Sequence, residues 1–426
     1  MAYLPIILVF LLYFSSIPIA FALFAAALVY FTFINVGMPP DLILQKFISS
    51  TQSFPLLAVP FFIMAGSVMN YSGISNKLMN FAEVLTGHMS GGLAQVNVVL
   101  STMMGGVSGS ANADAAMQSK ILVPEMEKRG YSRAFSAAIT AASSAISPVI
   151  PPGINLIIYA LIAKVSVGKM FIGGYVPGLL MCLTLMITVA IISKKRGYTP
   201  TRERRATPIE IFKQLIESIW ALLLPFGVIM GLRFGVFTPT EAGAIMVLVS
   251  VLIGFFIYKE LKIMHFKEII KDTIYGTGTV VLIIVAASVF GYYMSWERIP
   301  QTLSTALVGL TENKWVMLLI LNLLLLVLGM FIEGGAALII VTPLVVPVVV
   351  NLGVDPIHFG MIAIVNIMIG GVTPPFGSMM FTTCSITKTE VHDFIRESLP
   401  MIAALLIALL IITFFPAIVM FLPNLM

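Results

Sequence analysis

The chain has 426 residues, of which 59% are hydrophobic and only 10% charged, with a formal net charge of +5. Soluble domains carry about 25% charged residues, so this composition excludes a soluble enzyme and points to an integral membrane protein with many spans. The positive excess falls in short loops without a basic, aromatic-interleaved stripe, which argues against nucleic-acid binding.

A crossing helix needs about 20 apolar residues. In chain order the expected spans are 4–34, 54–69, 171–192, 216–232, 241–258, 269–294 and 398–422. The first reads as a retained helix, because no Lys/Arg-led segment with a small-residue cleavage site precedes it. Shorter apolar runs at 92–104, 111–123, 134–146 and 154–163, and again at 316–329, 336–350, 359–369 and 377–386, come in pairs split by Gly, Pro and Ser. Such pairs read as re-entrant hairpins and broken helices, and non-helical backbone at membrane depth is tolerated only where it lines a cavity or is buried in protein.

The breaks repeat. Gly106, Val123-Pro124, Gly130, Val149, Pro151-Pro152 and Pro177 recur 223 residues later as Gly329, Val346-Pro347, Gly353, Val372, Pro374-Pro375 and Pro400, in one register without a gap. The expected organisation is a first repeat over 1–193, with an arm at 72–88, a hairpin at 90–129, a broken helix at 133–165 and a span at 171–193. A basic linker follows at 194–214 and a connecting helix at 215–236. The second repeat covers 238–426, with an arm at 297–313, a hairpin at 315–353, a broken helix at 357–387 and a terminal span at 396–422. Ile74, Leu78, Phe81 and Leu85 give the first arm an apolar stripe suited to the membrane interface. Lys128, Arg129, Arg133, Lys194, Lys195, Arg196, Arg202, Arg204 and Arg205 fall on one side, whereas Lys46, Lys164, Lys169, Arg233, Arg298 and Lys314 fall on the other. Positive residues stay inside. The N-terminus is therefore expected in the cytoplasm, the C-terminus in the periplasm, and the two repeats inverted. Inverted repeats are a common plan of secondary transporters.

The tip of the first hairpin reads Gly105-Gly106-Val107-Ser108-Gly109-Ser110-Ala111-Asn112-Ala113-Asp114. It faces the break Ser147-Pro148-Val149-Ile150-Pro151-Pro152. Prolines remove main-chain donors and free carbonyls four residues upstream, and unwound carbonyls with helix ends coordinate sodium in transporters. A sodium site is expected from Gly105, Gly106, Ser108, Asn112, Ser147, Pro148 and Ile150. The repeat predicts a second from Gly329, Glu333, Gly334, Gly370 and Thr373, with Pro374 and Pro375 as the break. The competing explanation is close helix packing through small residues. Asp114 and Glu333 are either functional intramembrane acids or helix caps; Glu241, after Thr238-Pro239-Thr240, reads as a cap. Cys182 and Cys384 read as buried free thiols, and His88, His265, His358 and His392 are too scattered for a metal cluster. No P-loop, nucleophile elbow or zinc motif is present, so transport must draw on an ion gradient or on a separate motor subunit.

The segments 105–114 and 138–155, with Ser-Pro-Val-Ile-Pro-Pro-Gly, and later Gly-Gly-Val-Thr-Pro-Pro-Phe-Gly from Gly370, resemble the large membrane subunit of tripartite ATP-independent periplasmic (TRAP) transporters over nearly the whole chain. The resemblance implies an all-α, elevator-type member of the ion transporter superfamily in the bacterial inner membrane, driven by sodium ions. It implies two partners, a small four-helix membrane subunit and a periplasmic substrate-binding protein that delivers an organic acid, with sialic acid-type members most similar. It places the substrate carboxylate between the tips, near Ser108, Ser110, Asn112, Asn155, Thr373 and Ser378, and assigns Arg298 to the surface that meets the small subunit. The alternatives are a stand-alone sodium–C4-dicarboxylate symporter and, less in keeping with the breaks, a channel or structural membrane subunit. Glu333 departs from the symmetry, since the first repeat has Ser110 there.

Overall fold

The computed structural model describes residues 3–35, 41–52, 54–311 and 313–425; Glu312, in the second expected arm, lies outside them. The described residues form helices and no strand. In the first half these are α1 (Leu4–Phe14), α2 (Ile19–Val29), α3 (Asp41–Thr51), α4 (Ala58–Tyr71), α5 (Ile74–Thr86), α6 (Gly92–Met104), α7 (Ala111–Lys128), α8 (Arg133–Ser144), α9 (Ile154–Ala163) and α10 (Val167–Arg196). The second half holds α11 (Pro208–Arg233), α12 (Pro239–Leu252), α13 (Phe266–Trp296), α14 (Ile299–Leu310), α15 (Lys314–Phe331), α16 (Gly334–Asn351), α17 (Pro356–Gly370), α18 (Ser378–Thr387), α19 (Val391–Phe414) and α20 (Pro416–Met420). Among the described residues, seven helices are long and apolar enough to cross a membrane.

The two halves share their helix plan. α7 and α16 begin and end 223 residues apart, as do the starts of α8 and α17. The correspondence reaches outside the hairpins: α2 and α12 both run into a π-helical turn, Tyr30–Ile34 and Ile253–Ile257, again 223 apart. The gapless register ends at the second proline pair. Phe376 adds one residue there, so the caps Gly153 and Gly377, and the left-handed Lys164 and Lys388, correspond at 224. Pro177 and Pro400 therefore sit one residue out of step in α10 and α19.

Two other expectations are corrected. The apolar run 4–34 is not one helix: Ser16 takes a left-handed φ of 67° and Pro18 follows, so α1 and α2 fold against each other. The linker is shorter than expected. Helix α10 continues to Arg196, and α11 starts at Pro208 because Thr207 and Glu210 form a capping box.

The helices sort into an outer frame and an inner group. In the frame, α4 packs on α12 and α13, α2 on α13, and the arm α5 on α11. Arm residues Ile74, Leu78 and Phe81 are buried. In the inner group the hairpins α6–α7 and α15–α16 embrace the broken helices α8–α9 and α17–α18, backed by α10 and α19. The two repeats interlock, since α16 packs on α9 and α18 on α7. Helix α6, at 13 residues, rises only about 20 Å, short of a hydrocarbon core of about 30 Å. It stops inside.

The polar contacts mark two ends. At one, Arg196 pairs with Glu397 at 2.8 Å, Lys77 lies 3.9 Å from Glu217, and the Thr201 amide donates to the Gly87 carbonyl. At the other, the Tyr30 hydroxyl donates to Glu297, and Lys46 lies over the Tyr292 ring. Arg298 is exposed between α13 and α14. Cys182 and Cys384 are free and buried.

Candidate functional site

Both tips and both breaks meet in one cavity of about 620 Å³ between the inner group and the frame. Ser108, Ser110, Asn112, Pro148, Asn155, Gly329, Glu333, Gly334 and Ser378 line it. Gly105, Gly106, Ser147, Ile150, Gly370 and Thr373 do not. Gly105 packs behind the tip, where a Cβ would lie 2.5 Å from the Ile150 side chain and 2.9 Å from the Ser147 carbonyl oxygen. Gly106 turns outward, against Pro225 of α11. Thr373 spends its hydroxyl on the Ile369 carbonyl at 2.7 Å, bonding its own helix end. Pro151-Pro152 and Pro374-Pro375 are cis in both breaks.

The first tip is rich in free oxygen. The Ser108 and Ser147 hydroxyls lie 3.3 Å apart. The carbonyls of Ser147 and Pro148 accept no main-chain hydrogen bond among the described residues, because the positions four residues on are Pro151 and Pro152. The Asn112 Oδ1 is buried without a partner. This donor set suits a hard monovalent cation. The second break differs. The Gly370 carbonyl accepts from the Thr373 amide and the Gly371 carbonyl from the Met379 amide, both at 2.9 Å. The expectation of freed carbonyls thus holds at the first break and not at the second, where both carbonyls accept main-chain hydrogen bonds.

Helix N-termini converge on the cavity. The first residues of α7, α9, α16 and α18 all contribute to its wall, and each N-terminus carries partial positive charge. Ser110 caps α7, its Oγ accepting from the Ala113 amide. Glu333 caps α16, its Oε2 accepting from Gly335 at 3.0 Å and Ala336 at 3.2 Å. Glu333 is thus both a cap and a cavity acid. Asn155 crosses from the first repeat to the second, placing its amide beside Gly334 and 3.7 Å from the Met368 sulfur. The lining holds no Lys, Arg or His among the described residues; its charged groups are Glu333 and Asp272.

The frame wall was missed in the sequence. Gly66, Ser67 and Asn70 of α4 and Asp272, Tyr275 and Thr279 of α13 face the same space. The Ser67 hydroxyl donates to Asp272 at 3.0 Å, and a Cβ on Gly66 would lie 3.0 Å from the Val107 carbonyl oxygen, so tip and frame touch through backbone. The signal was available. Asp272, Tyr275 and Thr279 recur at helical spacing near the start of the expected span 269–294.

Comparison with known proteins gives one consistent assignment. A family profile described as "Tripartite ATP-independent periplasmic transporter, DctM component" matches residues 6–418. The sialic acid TRAP transporter large permease protein SiaM of Vibrio cholerae is 39% identical, over 97% of this chain and 96% of that protein. The C4-dicarboxylate TRAP transporter large permease protein DctM of Pseudomonas aeruginosa is 34% identical over 89% and 88%. The isethionate TRAP transporter permease protein DctMQ of Oleidesulfovibrio alaskensis is 39% identical over 95% of this chain and 64% of its own length. Among solved structures, the YdaH transporter of Alcanivorax borkumensis shares the fold with a TM-score of 0.60 and 13% identity, over 89% of this chain and 90% of that one.

Proposed function

Because this chain belongs to the DctM component family of tripartite ATP-independent periplasmic transporters, we propose that it is the large permease of a sodium-coupled importer, in which a periplasmic binding protein delivers an organic acid and a small membrane subunit completes the complex. The observation that carries this reading is the shared cavity, lined by four helix N-termini and, among the described residues, by no basic side chain. A carboxylate is drawn to helix N-termini. Glu333 already occupies the start of α16, which leaves the ends of α7, α9 and α18, with Ser110, Asn112, Asn155 and Ser378 as neutral hydrogen-bonding groups. Without a fixed Lys or Arg to hold it, the anion leaves once its accompanying cation leaves. Sodium supplies that cation, held by Ser108, Ser147, Asn112 and the bare carbonyls of Ser147 and Pro148. Coupling then follows, because binding of each ion favours the other through charge.

Sialic acid is the substrate assigned first. A nine-carbon sugar acid is compatible with about 620 Å³, its hydroxyls suit Asn, Ser and Thr, and its single carboxylate matches a cavity that already contains two acids. The inner group moves as the elevator car and the frame stays fixed; the bare backbone contact between Gly66 and Val107 suits sliding. Arg298, exposed beside the outer end of α13, faces the small subunit in this reading.

The test is reconstitution in liposomes with labelled sialic acid. Uptake that needs an inward sodium gradient, the binding protein and the small subunit supports the reading. Uptake with sodium alone favours a stand-alone symporter, and leak independent of any gradient contradicts both.

A further inference from the structure

A second polar cluster lies inside the first hairpin, away from the cavity. Asp114 and Gln118 of α7, Ser101 and Asn97 of α6, and Thr140, Ser143 and Ser144 of α8 are all at most 1% exposed. The Gln118 amide donates to Asp114 Oδ1 and to the Ser101 hydroxyl, both at 2.7 Å. Ser101 then donates to Ser143, Ser143 to Asn97, and Asn97 to Thr140. Ser144 donates to the Thr140 carbonyl at 2.6 Å. Asp114 is therefore not a helix cap, since Ser110 holds that place.

One hydrogen of this network reaches the carboxylate, from Gln118 to Oδ1, and Oδ2 receives none. Ser101 and Ser144 stand beside it, and in the hydrogen-bond geometry their hydroxyls donate to Ser143 and to the Thr140 carbonyl. Asp114 Oδ2 and Gln118 Oε1 are buried with no partner, and Asp114 makes no ion pair among the described residues. Two orphan acceptors would suit a bridging water, but a water leaves the charge uncompensated, and an uncompensated buried charge is costly. Hard cations take oxygen ligands.

We propose that Asp114, with oxygens of Gln118, Ser101 and Ser144, holds a sodium ion inside the first hairpin, separate from the ion at the tip. The second repeat argues that the cluster is not needed for packing. At the equivalent places α16 carries Ala337 and Val341, and α15 carries Leu324, so the carboxylate and its amide have no counterpart; the buried bonds joining Asn322, Asn366 and Thr413 in the second repeat involve no acid. The site gives one repeat a charge the other lacks, and it adds one ion to the count that drives uptake. It rests on the sodium-coupled reading above, with a test that separates the two.

The experiment counts bound ²²Na⁺ per full chain in detergent at saturation. Wild type is expected to hold one ion more than Asp114→Asn, whereas Ser147→Ala, at the tip, retains the ion that depends on Asp114. Equal counts in wild type and D114N overturn the inference and leave the tip site standing; no sodium bound to wild type overturns both. Should D114N fail to fold, Ser144→Ala and Ser101→Ala provide the reading. Each is expected to weaken sodium binding by about tenfold or more, and unchanged affinity overturns the inference.

Discussion

Ser110 and Glu333, 223 residues apart, occupy the same place in the two hairpins: each caps the helix that leads out of the tip, one with a neutral hydroxyl and the other with a carboxylate. The pair makes the cavity electrically lopsided. The N-terminus of α16 is already partnered by an anion, and that of α7 is open to one.

Glu333→Ser imports the arrangement of the first hairpin. The cap acceptor survives, so stability changes by less than about 1 kcal/mol, while a negative charge leaves the cavity. The half-saturating concentration of the organic acid should fall, and dicarboxylates should begin to compete in the uptake assay. Glu333→Ala removes the cap as well and should cost about 1 kcal/mol, visible as a lower thermal midpoint. Unchanged competition by dicarboxylates in both variants would refute the assigned role of this charge.

The two breaks should respond differently to loss of a hydroxyl. Ser147→Ala removes an oxygen that faces Ser108 at 3.3 Å, and should raise the sodium concentration for half-maximal uptake several-fold. Thr373→Ala removes one that is bonded to the Ile369 carbonyl and should shift it far less. Equal shifts in sodium titrations would mean that the sites are equivalent after all.

Gly329 and Gly370 touch backbone to backbone. A Cβ on Gly370 would lie 2.6 Å from the Gly329 Cα. Gly370→Ala should cost about 1–3 kcal/mol through overpacking, with a lower thermal midpoint and slower uptake. Gly227→Ala, a mid-helix position where a Cβ meets nothing within 4 Å, provides the control and should be neutral or stabilising.

The hairpins and breaks were legible because proline and glycine act through the backbone, and their effect does not depend on distant partners. The inserted Phe376 was hidden by a coincidence: Pro177 and Pro400 happen to preserve the interval of 223 although their helices have slipped to 224. The run 4–34 looked continuous because hydropathy does not register a turn made by Ser15, Ser16 and Pro18. Asp114 read equally as a cap or as a functional acid because only its place in α7 was visible, whereas its partners on α6 and α8 come from elsewhere in the chain. The frame wall was legible only as the helical spacing of Asp272, Tyr275 and Thr279; that this stripe meets Ser67 of α4 was not, since a polar residue in a span does not announce what it faces.

Arg298 holds a left-handed φ of 54°, a conformation that costs a non-glycine residue about 1–2 kcal/mol. Arg298→Gly should therefore keep or raise the stability of the isolated chain. If the guanidinium meets the small subunit, the same variant should reduce co-purification of that subunit. Full co-purification with raised stability would show that Arg298 has no partner role.

The central claim is that one cavity, built jointly by both repeats, holds the transported acid together with sodium. Single cysteines at Ser110 and Ser378, in a background with Cys182 and Cys384 replaced by Ala, can be labelled with a small maleimide in the reconstituted protein. The account predicts that the transported acid protects both positions, and only when sodium is present. Protection of one position alone, of neither, or equally in potassium, would contradict it.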